Sequence, residues 1–306
     1  MIVTDPKAPM GIGVLLAFAG PVLFLMITAI LSALIAYPIF LFSGAEDISL
    51  LRSLISRIGQ GLLLLGIYPL FKSLSLQFKD LGYRRHEGLS LPRGFGLGAL
   101  MLGLHVALLL SLQIRLPTGN PPSFDGLALL FLQSLATGLG VALLEETLFR
   151  GALLAIILRL TGPVFAVTIS AFFYAGLHFI GTKWTTDLSN VGWDTPFRIA
   201  FDGFSHVTTA PFDAFMALFI AGLFLGTLRL LRPEGLFLCL GIHAGWVFVI
   251  KISKVLSYPN AHSPLVGWIS AYDYVIGSFS CLWLSLLLAL LIIRHRRYTS
   301  LSLPPP

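Results

Sequence analysis

Eight apolar runs follow one another along the chain, at about 12–38, 58–74, 95–114, 125–160, 163–182, 212–231, 235–256 and 266–293, with polar stretches between them. Hydrophobic residues in these runs are near-continuous, without the strict alternation of barrel strands, and several runs reach the about 20 residues that cross a bilayer core as a helix. A helix also satisfies its own backbone hydrogen bonds, as hydrocarbon requires. The pattern therefore predicts an all-α, polytopic transmembrane helical bundle of about eight spans, a single integral membrane domain over residues 1–306. Pro21 and Pro38 are expected to kink the first span or mark its end. Thr161-Gly162-Pro163 is expected to stop one helix and start the next. The longest polar insertion, about 181–211, mixes Lys183, Asp187, Asp194, Arg198 and Asp202 with Trp184 and Trp193, which fits an interfacial segment, a lid or a plain solvent loop. The tail from Tyr298 to Pro306 reads as a disordered end.

Composition strengthens this picture. Only 11% of residues are charged, against 56% hydrophobic, whereas soluble domains carry about 25% charged residues. The mean hydropathy is +0.89. A formal charge of +6 raises the question of nucleic acid, but the basic residues sit in short groups between apolar runs, which marks membrane orientation and excludes nucleic acid as a partner. Placing the N-terminus in the cytoplasm leaves only Arg52, Arg57, Arg115, Lys183, Arg198, Lys251 and Lys254 of the 20 basic residues on the far side. Both termini are therefore expected to be cytoplasmic, in a plasma (inner) membrane. Cys239 and Cys281 lie inside apolar runs and read as packed free thiols.

Polar residues inside the runs carry the candidate chemistry. In Leu144-Glu145-Glu146-Thr147-Leu148-Phe149-Arg150-Gly151 two carboxylates and a guanidinium interrupt an apolar helix, at about 2.5 to 3.5 kcal/mol per charge on insertion scales. Glu146 and Arg150, four apart, share a helix face and can pair. Glu145 points elsewhere and is left unpaired, as suits a general base that takes a proton from water and returns it. A buried ion-pair network that only holds helices together is the competing explanation. Tyr174 and His178 also lie four apart. Sixteen residues separate Glu145 from Thr161 and sixteen separate Gly162 from His178, so two antiparallel helices of about 24 Å each bring Glu145 and His178 to one depth. His243 stands between Gly241 and Gly245, small residues that let another helix approach. His105 is expected to bond a backbone carbonyl, Lys251 to snorkel to the interface, and Asp273 to sit at the interface end of the last span; His86, His206, His262 and His295 are expected to be solvated.

Together these segments, over residues 125–256, resemble the core of the CPBP family of intramembrane proteases, which includes type II CAAX prenyl endopeptidases and bacteriocin-processing or immunity proteins. Its motifs are EExxxR, FxxxH and HxxxN. Glu145, Glu146 and Arg150 match the first; His178 matches the second, with Tyr174 in place of Phe; His243 matches the third, with Val247 in place of Asn. The resemblance implies an endopeptidase in which Glu145 activates a water, His178 positions or polarises it, and His243 donates to the oxyanion. Val247 supplies no donor there. The implied partners are a membrane-associated protein or peptide substrate and the lipid bilayer. Glu145, His178 and His243 also form a three-ligand zinc set, although no His-Glu-x-x-His is present and the metal-free route is favoured. A non-catalytic membrane immunity or scaffold protein of the same fold is the alternative function.

Overall fold

The computed structural model describes residues 10–83, 89–181, 184–232 and 235–301. Lys7, Arg84, Arg85, His86, Lys183 and the end of the tail, Ser302 to Pro306, lie outside the described residues. Every apolar run is largely helical. Helix α1 spans Met10–Ser43, α2 Ile48–Ser73, α3 Ser90–Ser111, α4 Phe124–Glu146, α5 Leu154–Leu160 and α6 Pro163–Leu177. They are followed by α7 Thr195–Thr208, α8 Phe212–Leu231, α9 Leu236–Leu256 and α10 Ser278–Leu301. A short segment, Thr147–Leu153, joins α4 to α5 into one rod, Phe124–Leu160. Among the described residues seven helices are long and apolar enough to cross a membrane, and α6 is a shorter apolar helix. The chain is an all-α integral membrane protein.

Several boundaries differ from the sequence pattern for physical reasons. Helix α1 continues through both prolines. Helix α2 begins at Ile48, well before the continuous apolar run, because Ile48, Leu51 and Ile55 form a buried stripe among serines and arginines. Such a helix is amphipathic at its start, and its apolar residues do not form a run. The Asp47 side chain caps it, accepting from Ser49 N at 2.8 Å. Helix α6 ends at Leu177, short of the expected 182, in tight turns closed by Phe179 N to Gly176 O and Ile180 N to Leu177 O. The last run is irregular up to Gly277, and α10 then carries the chain past Tyr298, so the expected disordered end is helical as far as Leu301. Within that irregular stretch Asp273 is buried, accepting from Val275 N and Ile276 N at 2.9 Å each.

A two-stranded antiparallel ribbon pairs β1, Arg115–Pro117, with β2, Ser257–Pro259, tying the end of α3 to the end of α9. The buried Arg115 guanidinium locks it, donating to Ser257 Oγ at 2.9 Å and Ser253 O at 3.2 Å. Helices α3 and α9 meet along glycines: a Cβ on Gly98 would lie 2.1 Å from Ile242 O, and one on Gly245 2.5 Å from Phe95 O. This is the small-residue contact that membrane helices use in place of a hydrophobic drive. The 181–211 insertion forms α7, whose Ile199 and Ala200 pack on Phe40, Leu51 and Ile55 of α1 and α2.

Both ends of the described chain lie at one face. Gly13 of α1 abuts the Leu160 carbonyl at the end of α5, and Gly82 abuts Arg229 near the end of α8. At the other face Asp213, starting α8, accepts from Ser270, just ahead of α10, at 3.0 Å. Helix α10 thus starts at that face and returns to the first.

Candidate active site

The π-helical segment Thr147–Leu153 sits where an unbroken α-helix was expected. Such turns widen the backbone and free carbonyls, and recur at functional sites. Here the Phe149 carbonyl accepts from Ser170 Oγ of α6 at 3.1 Å, and Thr147 is bonded to the Tyr83 hydroxyl, so the irregular turn is held from two sides.

Glu146 and Arg150 form the expected pair, with Arg150 Nη1 donating to Glu146 Oε1 at 2.9 Å. His243 Nδ1 donates to the same oxygen at 2.8 Å from α9. Both charged groups are buried, Glu146 completely. The guanidinium also lies 4.1 Å from the centroid of the Tyr174 ring, where the face of an aromatic attracts a cation.

Glu145 faces the other way. The turn at Thr161-Gly162 brings α6 back beside α4, and Glu145 Oε2 lies 3.6 Å from His178 Nε2 and 3.8 Å from His243 Nε2. These separations exceed hydrogen-bond length, and the oxygen is buried without a hydrogen-bond partner. They are the scale on which one small ligand bridges three groups. Each histidine is fixed through its other nitrogen: His178 Nδ1 donates to Tyr174 O at 2.7 Å, and His243 Nδ1 to Glu146. A neutral ring at either position therefore presents its Nε2 lone pair to Glu145. His243 donates from Nε2 only when both ring nitrogens carry protons. The residue types suit zinc, yet among the described residues no group of three or more His, Cys, Asp or Glu is placed to hold a metal ion.

Residues 127–249 match the family described as Rce1-like, type II CAAX prenyl endopeptidase. This stretch is an Rce1-like domain. It contains Glu145, Glu146, Arg150, His178 and His243, and the match supports a CPBP-family intramembrane protease. No curated protein and no solved structure matches the chain.

Two cavities have Glu145 and His178 in their linings. One, of about 460 Å³, is lined by Glu145, Tyr174, His178, His243 and Val247 and continues past Lys254, Tyr272 and Asp273. The second, of about 290 Å³, shares Glu145 and His178 and runs between α1, α2 and α7 past Gln60 and Arg52. Both lead away from the face that holds the chain ends. Val247 lines the first cavity one turn beyond His243. Lys251, on the same side of α9, is committed elsewhere, donating to Thr137 Oγ1 at 3.2 Å. His105 bonds the Val275 carbonyl at 3.1 Å as expected and stays outside the site. Tyr272 and Arg52 line these cavities without having been marked by the sequence: Tyr272 belongs to an irregular segment with no periodicity, and Arg52 to the amphipathic start of α2.

Proposed function

We propose that the Rce1-like domain is an intramembrane endopeptidase in which Glu145 activates a water held between His178 and His243. The observation that carries this is the unpartnered Glu145 Oε2, 3.6 and 3.8 Å from the two imidazole Nε2 atoms, on a residue that lines two cavities. A water at this point donates to Glu145 and to the His178 lone pair. Glu145 takes its proton as oxygen attacks the peptide carbonyl, and returns that proton to the leaving amine. A His243 protonated on both nitrogens bonds Glu146 through Nδ1 and the developing oxyanion through Nε2. Arg150 and Glu146 act behind it, holding the ring. No step needs a metal. Charge bias further favours cytoplasmic ends, so in a plasma membrane the cavities take their substrate from the opposite compartment.

The decisive experiment compares internally quenched peptides incubated with the purified protein and with Glu145→Gln, with and without excess chelator. Wild type is expected to cleave equally with and without chelator, and Glu145→Gln to lose at least about 100-fold. Activity abolished by chelator and restored by zinc would replace this route with a metal-dependent one. Val247, together with the closed Glu146, Arg150 and His243 network, favours a second reading, a non-catalytic immunity or scaffold protein. Cellular function retained in Glu145→Gln would select it.

A further inference from the structure

Val247 puts methyl groups on the cavity wall at the position where the motif it resembles carries an asparagine, so that position offers an oxyanion no donor. Other polar groups on that wall are engaged or distant. Trp283 Nε1 donates to Met101 O at 3.1 Å, and Ser280 Oγ to Gly277 O at 2.9 Å. The Asp273 carboxylate only accepts. Lys254 stands eleven residues beyond His243, about 16 Å along α9. The Tyr174 side chain is hydrogen-bonded to Arg150, which leaves two donors, the indole of Trp246 and the hydroxyl of Tyr272.

Tyr272 is the one that reaches the Glu145 side of the site. Its hydroxyl donates to the His178 carbonyl at 3.4 Å, near the limit of a hydrogen bond and easily exchanged for a better acceptor. Its ring is anchored separately, 5.1 Å from that of Phe179. We propose that Tyr272, outside the matched stretch, supplies the oxyanion contact that Val247 cannot, swinging its O–H from the His178 carbonyl to the tetrahedral intermediate. This rests on the endopeptidase reading above. Burial, and then the charges of Asp273 and Glu145, push the phenol above its ordinary value, so the hydroxyl keeps the proton it must donate.

Tyr272→Phe removes the hydroxyl and keeps the ring contact. Cleavage of the quenched peptides is measured for wild type, Glu145→Gln, Tyr272→Phe, Trp246→Phe and the double variant Val247→Asn/Tyr272→Phe. Tyr272→Phe is expected to lower kcat by about 100- to 1,000-fold, with KM changed less than about twofold. Adding Val247→Asn is expected to recover about tenfold or more of that loss. Full kcat in Tyr272→Phe while Glu145→Gln is inactive overturns the assignment alone, as does a loss confined to KM, one that Val247→Asn leaves unchanged, or one seen only in Trp246→Phe. Wild type no faster than Glu145→Gln overturns the endopeptidase reading and this assignment with it.

Discussion

Glu146 Oε1 accepts from both Arg150 and His243 in a site closed to solvent, so neutralising it does more than subtract one contact. Glu146→Gln leaves the Arg150 guanidinium buried without a counter-charge. Breaking one partner of a buried pair costs about 3 to 5 kcal/mol, and a fall in thermal midpoint and in the yield of folded protein in detergent is the expected result. Arg150→Met in the same background should restore part of the loss. Glu145, its side chain one-fifth exposed at 21% and its Oε2 without a hydrogen-bond partner, makes the opposite prediction: Glu145→Gln leaves the thermal midpoint where it was. The i,i+4 pair was legible because spacing on one helix is local. That His243 closes on Glu146 across 97 residues was not, because it depends on how α4 and α9 rotate against each other. Tyr272 was hidden for a related reason: neither burial nor charge marks a tyrosine in an irregular loop.

At the level of elements, helix α9 carries His243, and α3 sets where α9 lies. A methyl group on Gly98 would overlap the Ile242 carbonyl, the residue before His243. Gly98→Ala is therefore expected to destabilise by about 1 to 3 kcal/mol through overpacking, read as a lower thermal midpoint, and to reduce cleavage by moving His243 away from Glu145. Thermal scans paired with the peptide assay check both; unchanged values for each would show that the two backbones separate at no cost. The glycines beside His243 were visible in the sequence, and only the identity of the helix they receive was not. Continuous apolar runs located every membrane helix. Boundaries failed where apolar residues are spaced as a stripe, at the start of α2, and where tertiary packing ends a helix early, at Leu177. The β1–β2 ribbon escaped because three-residue strands carry no pattern of their own.

Across the whole molecule, the helices bring both described ends of the chain to one face, while the two cavities lead to the other. An N-terminal epitope tag is expected to resist protease added to intact cells and to be cut once they are permeabilised, whereas a cysteine placed at exposed Tyr258 is expected to react with impermeant thiol reagent from outside. The reverse outcome would turn the mouth of the site toward the cytoplasm. Of the eight apolar runs, seven carry a helix long enough to cross a membrane and the eighth, α6, is shorter; the direction in which the cavities open was not legible, since it follows from how the helices pack around Glu145. The lining that the two cavities share has one more implication. On the endopeptidase reading proposed above, Glu145 can be approached from two sides, along α8 and α10 or past α7. A target is then expected to be selected by slackness, a stretch loose enough to dip into the bilayer, more than by the residue at its terminus.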